Sequence, residues 1–210
     1  MPEFYREKMN DKEQIVVWDI TESEIELCKG LSLSKVSLNT ISKRKSIVHR
    51  KGYLAIRQIL KKLNIDPELP QYDQNGAPYL TDGRYISISH TKDKAAVVIA
   101  SIPVGIDLEH YQYKIKKVAP RFLHQNEISD SKIYDDIKYL TQIWTAKEAL
   151  YKIFRKKGIS FKSQLQVDKF DSMRSNDGLG TIFYDGKTYK YFLHFRYFSN
   201  FCLTLATTKN

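Results

Sequence analysis

Residues 85–109 constrain the fold more than any other stretch: three short β-rich runs stand there with only a polar turn and one proline between them. YISIS (85–89) alternates, TKDK (91–94) turns the chain, and AAVVIAS (95–101) is a β-rich apolar run, so the first two form a strand pair. Pro103 breaks the second run, and VGIDLE (104–109) follows as a third strand. Upstream, IVVWDI (15–20) reads as an opening strand. From Ser42 to Leu63 the spacing is helical, with Val48, Gly52, Ala55, Ile59 and Leu63 recurring at three and four. Lys43, Arg50 and Arg57 lie seven apart on the same helix, which stacks three cations along another face. Pro67, Pro70 and Asn75-Gly76 mark a loop.

Beyond the third strand, residues 111–140 are polar and basic, then weakly helical, and are expected at the surface. A second helix is expected from Leu140 to Lys157, with Gly158 as its stop. Strands are expected near 164–170, 180–184, 187–198 and 201–207, with Asp185-Gly186 as a hairpin turn. Helices and strands thus recur on both sides of Pro103. They divide the chain into an N-terminal half, 1–102, and a C-terminal half, 103–210.

Composition enters mainly through charge. The net charge is +10. Residues 29–62 alone carry ten Lys and Arg with no Asp or Glu, as much as the whole net charge. This cluster is either a solvated helix face or a surface for a partner rich in phosphate or carboxylate. No apolar run approaches the roughly 18 residues of a membrane span, and the charged start lacks a signal peptide's apolar core. Cys28 and Cys202 are too few for a disulfide framework or a cysteine-rich metal site. A cytoplasmic protein without a membrane partner is the expectation.

Two segments carry groups suited to chemistry. Alternation in VGIDLE puts Val104, Ile106 and Leu108 on one face and Gly105, Asp107 and Glu109 on the other. Two carboxylates at i and i+2 are either solvated acids or a hard oxygen site suited to Mg²⁺, and Gly105 beside them leaves room for a ligand. In WTAKEALYKIF, Ile143, Ala146, Leu150 and Ile153 form the buried face, leaving Trp144, Lys147, Glu148, Tyr151 and Lys152 elsewhere. Glu148 and Lys152 are i, i+4 neighbours: an ordinary helix ion pair, or a third oxygen ligand with a phosphate-binding cation.

VGIDLE followed about 35 residues later by WTAKEALYK resembles the paired signature of the surfactin-synthetase type of phosphopantetheinyl transferase. That family shows a Gly-Ile-Asp-(any)-Glu strand and then a Trp-(two residues)-Lys-Glu-Ala-(two residues)-Lys helix. SISHT (87–91) is similar to its Ser-His motif, GAPYL (76–80) to its Gly-Lys-Pro loop, and RFLHQNE (121–127) to its Arg-Phe-Leu segment. Ala77 stands where the family usually has Lys, and Thr91 replaces a Ser.

The resemblance implies an α/β (α+β) pseudo-dimer, two similar halves with the active site in the cleft between them. It implies transfer of phosphopantetheine from coenzyme A to a serine of an acidic apo acyl, peptidyl or polyketide carrier protein, by a monomer with Mg²⁺ as cofactor. Carried over residue by residue, Asp107, Glu109 and Glu148 become metal ligands, with Glu148 and Lys152 catalytic. Gly76, Pro78, Ser89, His90 and Lys152 become coenzyme A contacts, and Arg44 or Arg50 becomes the partner of its 3′-phosphate. Two rival readings remain, a nucleic-acid-binding protein, which would explain the charge, or an inactive scaffold with this fold, against which the intact set of three acids argues. No zinc-knuckle spacing or ribonucleoprotein aromatic motif supports a nucleic-acid partner.

Overall fold

The runs YISIS and AAVVIAS pair antiparallel across the TKDK turn, with Tyr85 opposite Ala100 and His90 opposite Ala95. The structure is a computed structural model and describes residues 2–10, 13–168 and 176–208. It divides into two compact units, Met1–Ser101 and Ile102–Asn210. The first holds β1 (Glu3–Asn10), β2 (Glu13–Asp19), α1 (Glu24–Cys28), α2 (Lys35–Lys43), α3 (Ile47–Lys62), β3 (Gln71–Tyr72), β4 (Pro78–Tyr79), β5 (Tyr85–His90) and β6 (Lys94–Ala100). Its main sheet runs β1-β2-β6-β5 and is antiparallel throughout. Strand β6, interior to the sheet, is buried along its whole length, as a run without alternation requires. Leu54, Ala55, Ile59 and Leu60 of α3 pack with Val16, Trp18, Ile86, Val97 and Ile99 in one core.

Two details differ from the sequence expectation. The helix expected from Ser42 to Leu63 is two helices, because Arg44 takes extended backbone after α2 and α3 restarts at Ile47. The Arg50 guanidinium donates to the carbonyls of Arg44 and Lys45, so a side chain satisfies the break where the next helical turn would have done so. The charged start, in turn, is the edge strand β1. Glu3, Arg6, Glu7 and Lys8 lie along it, the kind of charge that keeps an open edge from pairing with another chain.

The second unit holds β7 (Val104–His110), α4 (Lys114–Phe122), α5 (Ile137–Phe154), β8 (Leu165–Val167), β9 (Asp177–Tyr184), β10 (Lys187–Tyr197) and β11 (Phe201–Thr208), with 3-10 turns at Gln125–Glu127 and Ser131–Asp135. Its antiparallel sheet runs β7-β11-β10-β9-β8. Asp185 and Gly186 both have positive φ (52° and 68°), which a tight hairpin turn of this hand demands. Residues 169 and 170 of the strand expected at 164–170 lie outside the described residues. Asp136 caps α5 by accepting from the Tyr139 N–H. The helix ends earlier than Gly158 would suggest, because Arg155 adopts the left-handed conformation at its C-cap (φ 59°).

Helix α5 rests directly on the sheet. A Cβ built on Gly105 would stand 2.1 Å from the Ala149 carbonyl oxygen, and one on Gly180 would stand 2.7 Å from Leu150. Gly105 therefore admits a helix backbone; the room expected there for a ligand is already taken. The fold is mixed α/β.

Candidate active site

The register of β7 against β11 decides which side chains share a face. Gly105 lies opposite Ala206, Asp107 opposite Thr204 and Glu109 opposite Cys202. Because Gly105 meets Ala149, this is the face turned toward α5. Both carboxylates of the strand therefore point toward the helix that carries Glu148 and Lys152. Asp107 is buried, whereas Glu109 and Glu148 are half-buried. The Lys152 ammonium donates to Asp107 Oδ1 at 2.7 Å and to the Ile106 carbonyl at 2.9 Å. Beneath them Thr145 and Thr204 join hydroxyls at 2.8 Å, which ties the helix to the sheet at the same level.

These acids feel one another. Burial, then the charge of Asp107 and that of Glu109, pushes the Glu148 carboxyl up to about 7 against the opposing pull of Lys152. Burial and Asp107 likewise raise Glu109, with Lys114 opposing. Lys152 thus stands where a cation is needed. Among the described residues, no three His, Cys, Asp or Glu side chains are grouped so as to hold a metal ion. The Asp107 carboxyl is turned onto Lys152 instead. In chemistry the donor set fits a hard divalent cation, since three carboxylates that repel one another are all oxygen ligands. Beside Glu109 opens a cavity of about 300 Å³, walled by Lys114, Ile115, Val118, Thr141 and Trp144.

The remaining predicted residues lie in the first unit. Gly76 takes positive φ (81°) in the β3–β4 turn, where its N–H donates to the Asp73 carbonyl, and Pro78 begins β4. Ser89 is buried on β5. His90 closes that strand and stacks on His49 of α3, ring centroids 5.8 Å apart and 17° from parallel. Gly52 makes room for it, because a Cβ there would stand 2.4 Å from the His90 ring. Sequence reasoning missed His49; its spacing of three from Gly52 on one helix was the available signal.

The two arginines separate clearly. Arg50 grips Glu24 through Nε and Nη2 at 2.8–3.1 Å, and its Nη1 serves two carbonyls, so its donors are spent on the fold. The Arg44 guanidinium lies over the Tyr53 ring, 5.0 Å from its centroid. The stripe of three cations expected along one helix does not exist as a surface: Lys43 belongs to α2, Arg50 is paired, and Arg57 is only 2% exposed.

Lys147 is the largest departure within the helix motif. Expected away from the buried face, it is fully buried, and its ammonium meets Glu127 at 2.8 Å. It also donates to the carbonyls of Phe122 at 2.6 Å and Phe161 at 2.9 Å. Glu127 in turn accepts the N–H groups of His124 and Val167. The motif's first lysine thus holds α5 to the segment after α4, while its glutamate and second lysine face the β7 acids.

Residues 103–206, which contain both paired motifs, match the family described as the 4′-phosphopantetheinyl transferase superfamily. By this segment the chain belongs to that superfamily. The matched segment begins one residue before β7 and runs into β11, so the carboxylate face described above lies wholly inside the superfamily domain. A similar protein is the 4′-phosphopantetheinyl transferase gsp of Aneurinibacillus migulanus, 30% identical over 111 residues, half of this chain and 47% of that one. Another is the 4′-phosphopantetheinyl transferase psf-1 of Bacillus pumilus, 27% identical over 139 residues, 62% of this chain and 58% of its own. The chain thus spans about half the length of the relatives it matches.

Proposed function

We propose that this protein transfers the phosphopantetheine of coenzyme A to a serine of an apo acyl, peptidyl or polyketide carrier protein, releasing adenosine 3′,5′-bisphosphate. The observation that carries the reading is the acid cluster between β7 and α5: within a superfamily domain, one of three interacting carboxyls titrates at about 7. A carboxyl with that affinity can take a proton near neutrality. Glu148 accepts the hydroxyl proton of the carrier serine as its oxygen bonds to the β-phosphorus. The bond from that phosphorus to the bridging oxygen breaks, and the electron pair leaves with the nucleotide. Lys152, held within the cluster by Asp107, balances negative charge developing on the departing phosphate. Asp107, Glu109 and Glu148 would hold Mg²⁺, which when bound supplies charge neutralisation at the pyrophosphate. The cavity beside Glu109 gives the reacting end of the substrate a partly apolar wall.

In the first unit, Gly76, Pro78, Ser89 and His90 are assigned to coenzyme A. Of the two arginines offered to its 3′-phosphate, Arg44 is the one whose donors the fold leaves uncommitted to Glu24. Gly52→Ala tests His90 without touching it. Alanine favours a helix over glycine by about 1 kcal/mol, which offsets part of the steric cost, so stability should stay near wild type. The imidazole must move, however, and coenzyme A affinity is expected to fall about five- to tenfold by calorimetry. Unchanged affinity would remove His90 from the site.

Docking of an acidic carrier is assigned to α4, where Tyr113, Lys114, Lys117 and Arg121 are exposed while Lys116 is engaged by Asp135 at 2.8 Å. A cytoplasmic monomer is the setting we propose. Among the described residues no helix is long and apolar enough to cross a membrane. The test of the whole reading is direct. The protein, coenzyme A, Mg²⁺ and several apo-carriers are incubated, and the carriers weighed. One added phosphopantetheine per carrier is expected. Unmodified carriers alongside a folded protein that binds coenzyme A would sink the proposal.

A further inference from the structure

The first unit contains a cavity of about 450 Å³, of which the transfer reading uses Arg44 alone. Its most informative wall is Arg57 of α3, 2% exposed, with its guanidinium stacked 3.3 Å from the centroid of the Tyr53 ring. A guanidinium has five N–H donors in a fixed fork. Here they are poorly spent. Nη1 is 3.4 Å from the Tyr53 carbonyl, and Nη2 is 3.4 Å from Ser37 Oγ and bonded to the Tyr53 hydroxyl. Nε is buried without a hydrogen bond, 3.5 Å from Glu68 Oε1.

Glu68 cannot turn fully to Arg57, because it also accepts from the Ser37 hydroxyl at 2.8 Å and from Ser34. Burial raises its carboxyl, but those hydroxyls and Arg57 more than offset this and hold it below the usual range, so it is ionised near neutrality. The cavity thus presents two guanidinium groups, Arg57 and the Arg44 that packs on the same ring, against one carboxylate. Its net charge is positive. Its volume exceeds what a bare inorganic anion fills, and Val36, Pro70 and Tyr72 add apolar wall. Val36 is 75% and Tyr72 45% exposed, so this wall is open to solvent and to an entering ligand.

We infer that this cavity binds a small organic oxyanion: a phosphate or carboxylate head on the unspent Arg57 donors, aided by Arg44, and an apolar or aromatic body along Val36, Pro70 and Tyr72. The site uses no residue of the second unit, and it shares only Arg44 with the coenzyme A assignment.

Phenyl phosphate and inorganic phosphate, titrated into the full chain by calorimetry, test it. Phenyl phosphate is expected to saturate one site and to bind at least about fivefold tighter than inorganic phosphate, because only it can use the apolar wall. Arg57→Lys keeps the charge near Glu68 but loses the planar fork, and should weaken phenyl phosphate about tenfold. Arg44→Ala, at a half-buried position outside the core, should weaken it about fivefold and guards against misfolding of the first variant. Saturating coenzyme A should weaken it no more than Arg44→Ala does. The inference is overturned if phenyl phosphate fails to saturate or coenzyme A displaces it fully. Equal binding by wild type and both variants also overturns it, since that would be general attraction to a chain of net charge +10. Coenzyme A binding retained without phenyl phosphate binding would sink this site alone and leave the transfer reading standing.

Discussion

Glu148→Gln is expected to lower turnover in phosphopantetheine transfer by about 10²–10⁴, with coenzyme A affinity changed little. Gln keeps the size and one acceptor oxygen but cannot take the serine proton. The same substitution has a second readout that needs no activity. In the folded protein the Glu148 carboxyl titrates at about 7, well above its ordinary value of 4.5. Between those two values the folded state holds a proton that the unfolded state has released. The Glu148 contribution to unfolding free energy should therefore be largest below pH 4.5, fall as pH rises from there through 7, and level off above it. For this half-buried group the loss is on the order of 3 kcal/mol before solvent screening reduces it. Urea unfolding from pH 5 to 8 should show the slope in wild type and a much flatter profile in Glu148→Gln. If Asp107, Glu109 and Glu148 hold a divalent cation, Mg²⁺ added at pH 7.5 should restore stability to wild type more than to the variant. Equal slopes in the two proteins would mean that the acid cluster is better solvated than its geometry implies.

How much of this could be read from the sequence depends on whether the deciding neighbour is local. The register that puts Asp107 and Glu109 on one face follows from alternation over six residues, and the i, i+4 relation of Glu148 and Lys152 follows from helical spacing. Both were legible. The paired motifs also pointed to the family that residues 103–206 match. Partners brought in from far along the chain were not legible. Residues 29–62 contain no acid, so they read as an open basic surface, yet Glu24 and Glu68 arrive from either side to engage Arg50 and Arg57. Gly105 was legible as a close approach but not as an approach by α5. Lys147 failed for a related reason: hydrophobic periodicity assigns a lysine to solvent, and only Glu127, twenty residues earlier, makes its burial tolerable.

That buried pair sets the largest expected stability effect. Lys147 spends all three ammonium protons, on Glu127 and on the Phe122 and Phe161 carbonyls. Glu127 receives two backbone N–H groups besides the lysine. Burial pushes its carboxyl up and the lysine down, while each opposes the shift in the other. With every donor and acceptor matched, the ionised pair is the form this geometry holds. Lys147→Met fills similar volume but strands a buried carboxylate, and should cost about 3–5 kcal/mol in urea unfolding near neutral pH. Glu127→Gln strands the ammonium and should cost a comparable amount. The double variant removes both charges, so its loss should fall well below the sum of the two. It should not return to wild type, because the Phe122 and Phe161 carbonyls lose their donor and one backbone N–H loses a full acceptor. Additive losses would mean that the two residues act separately. A cost below about 1 kcal/mol for Lys147→Met would mean that water reaches the pair. Because the pair joins α5 to the segment after α4, loosening it should also let Glu148 shift against β7. Turnover in Lys147→Met should then fall even under conditions where the variant stays folded, and the double variant should recover part of both losses together.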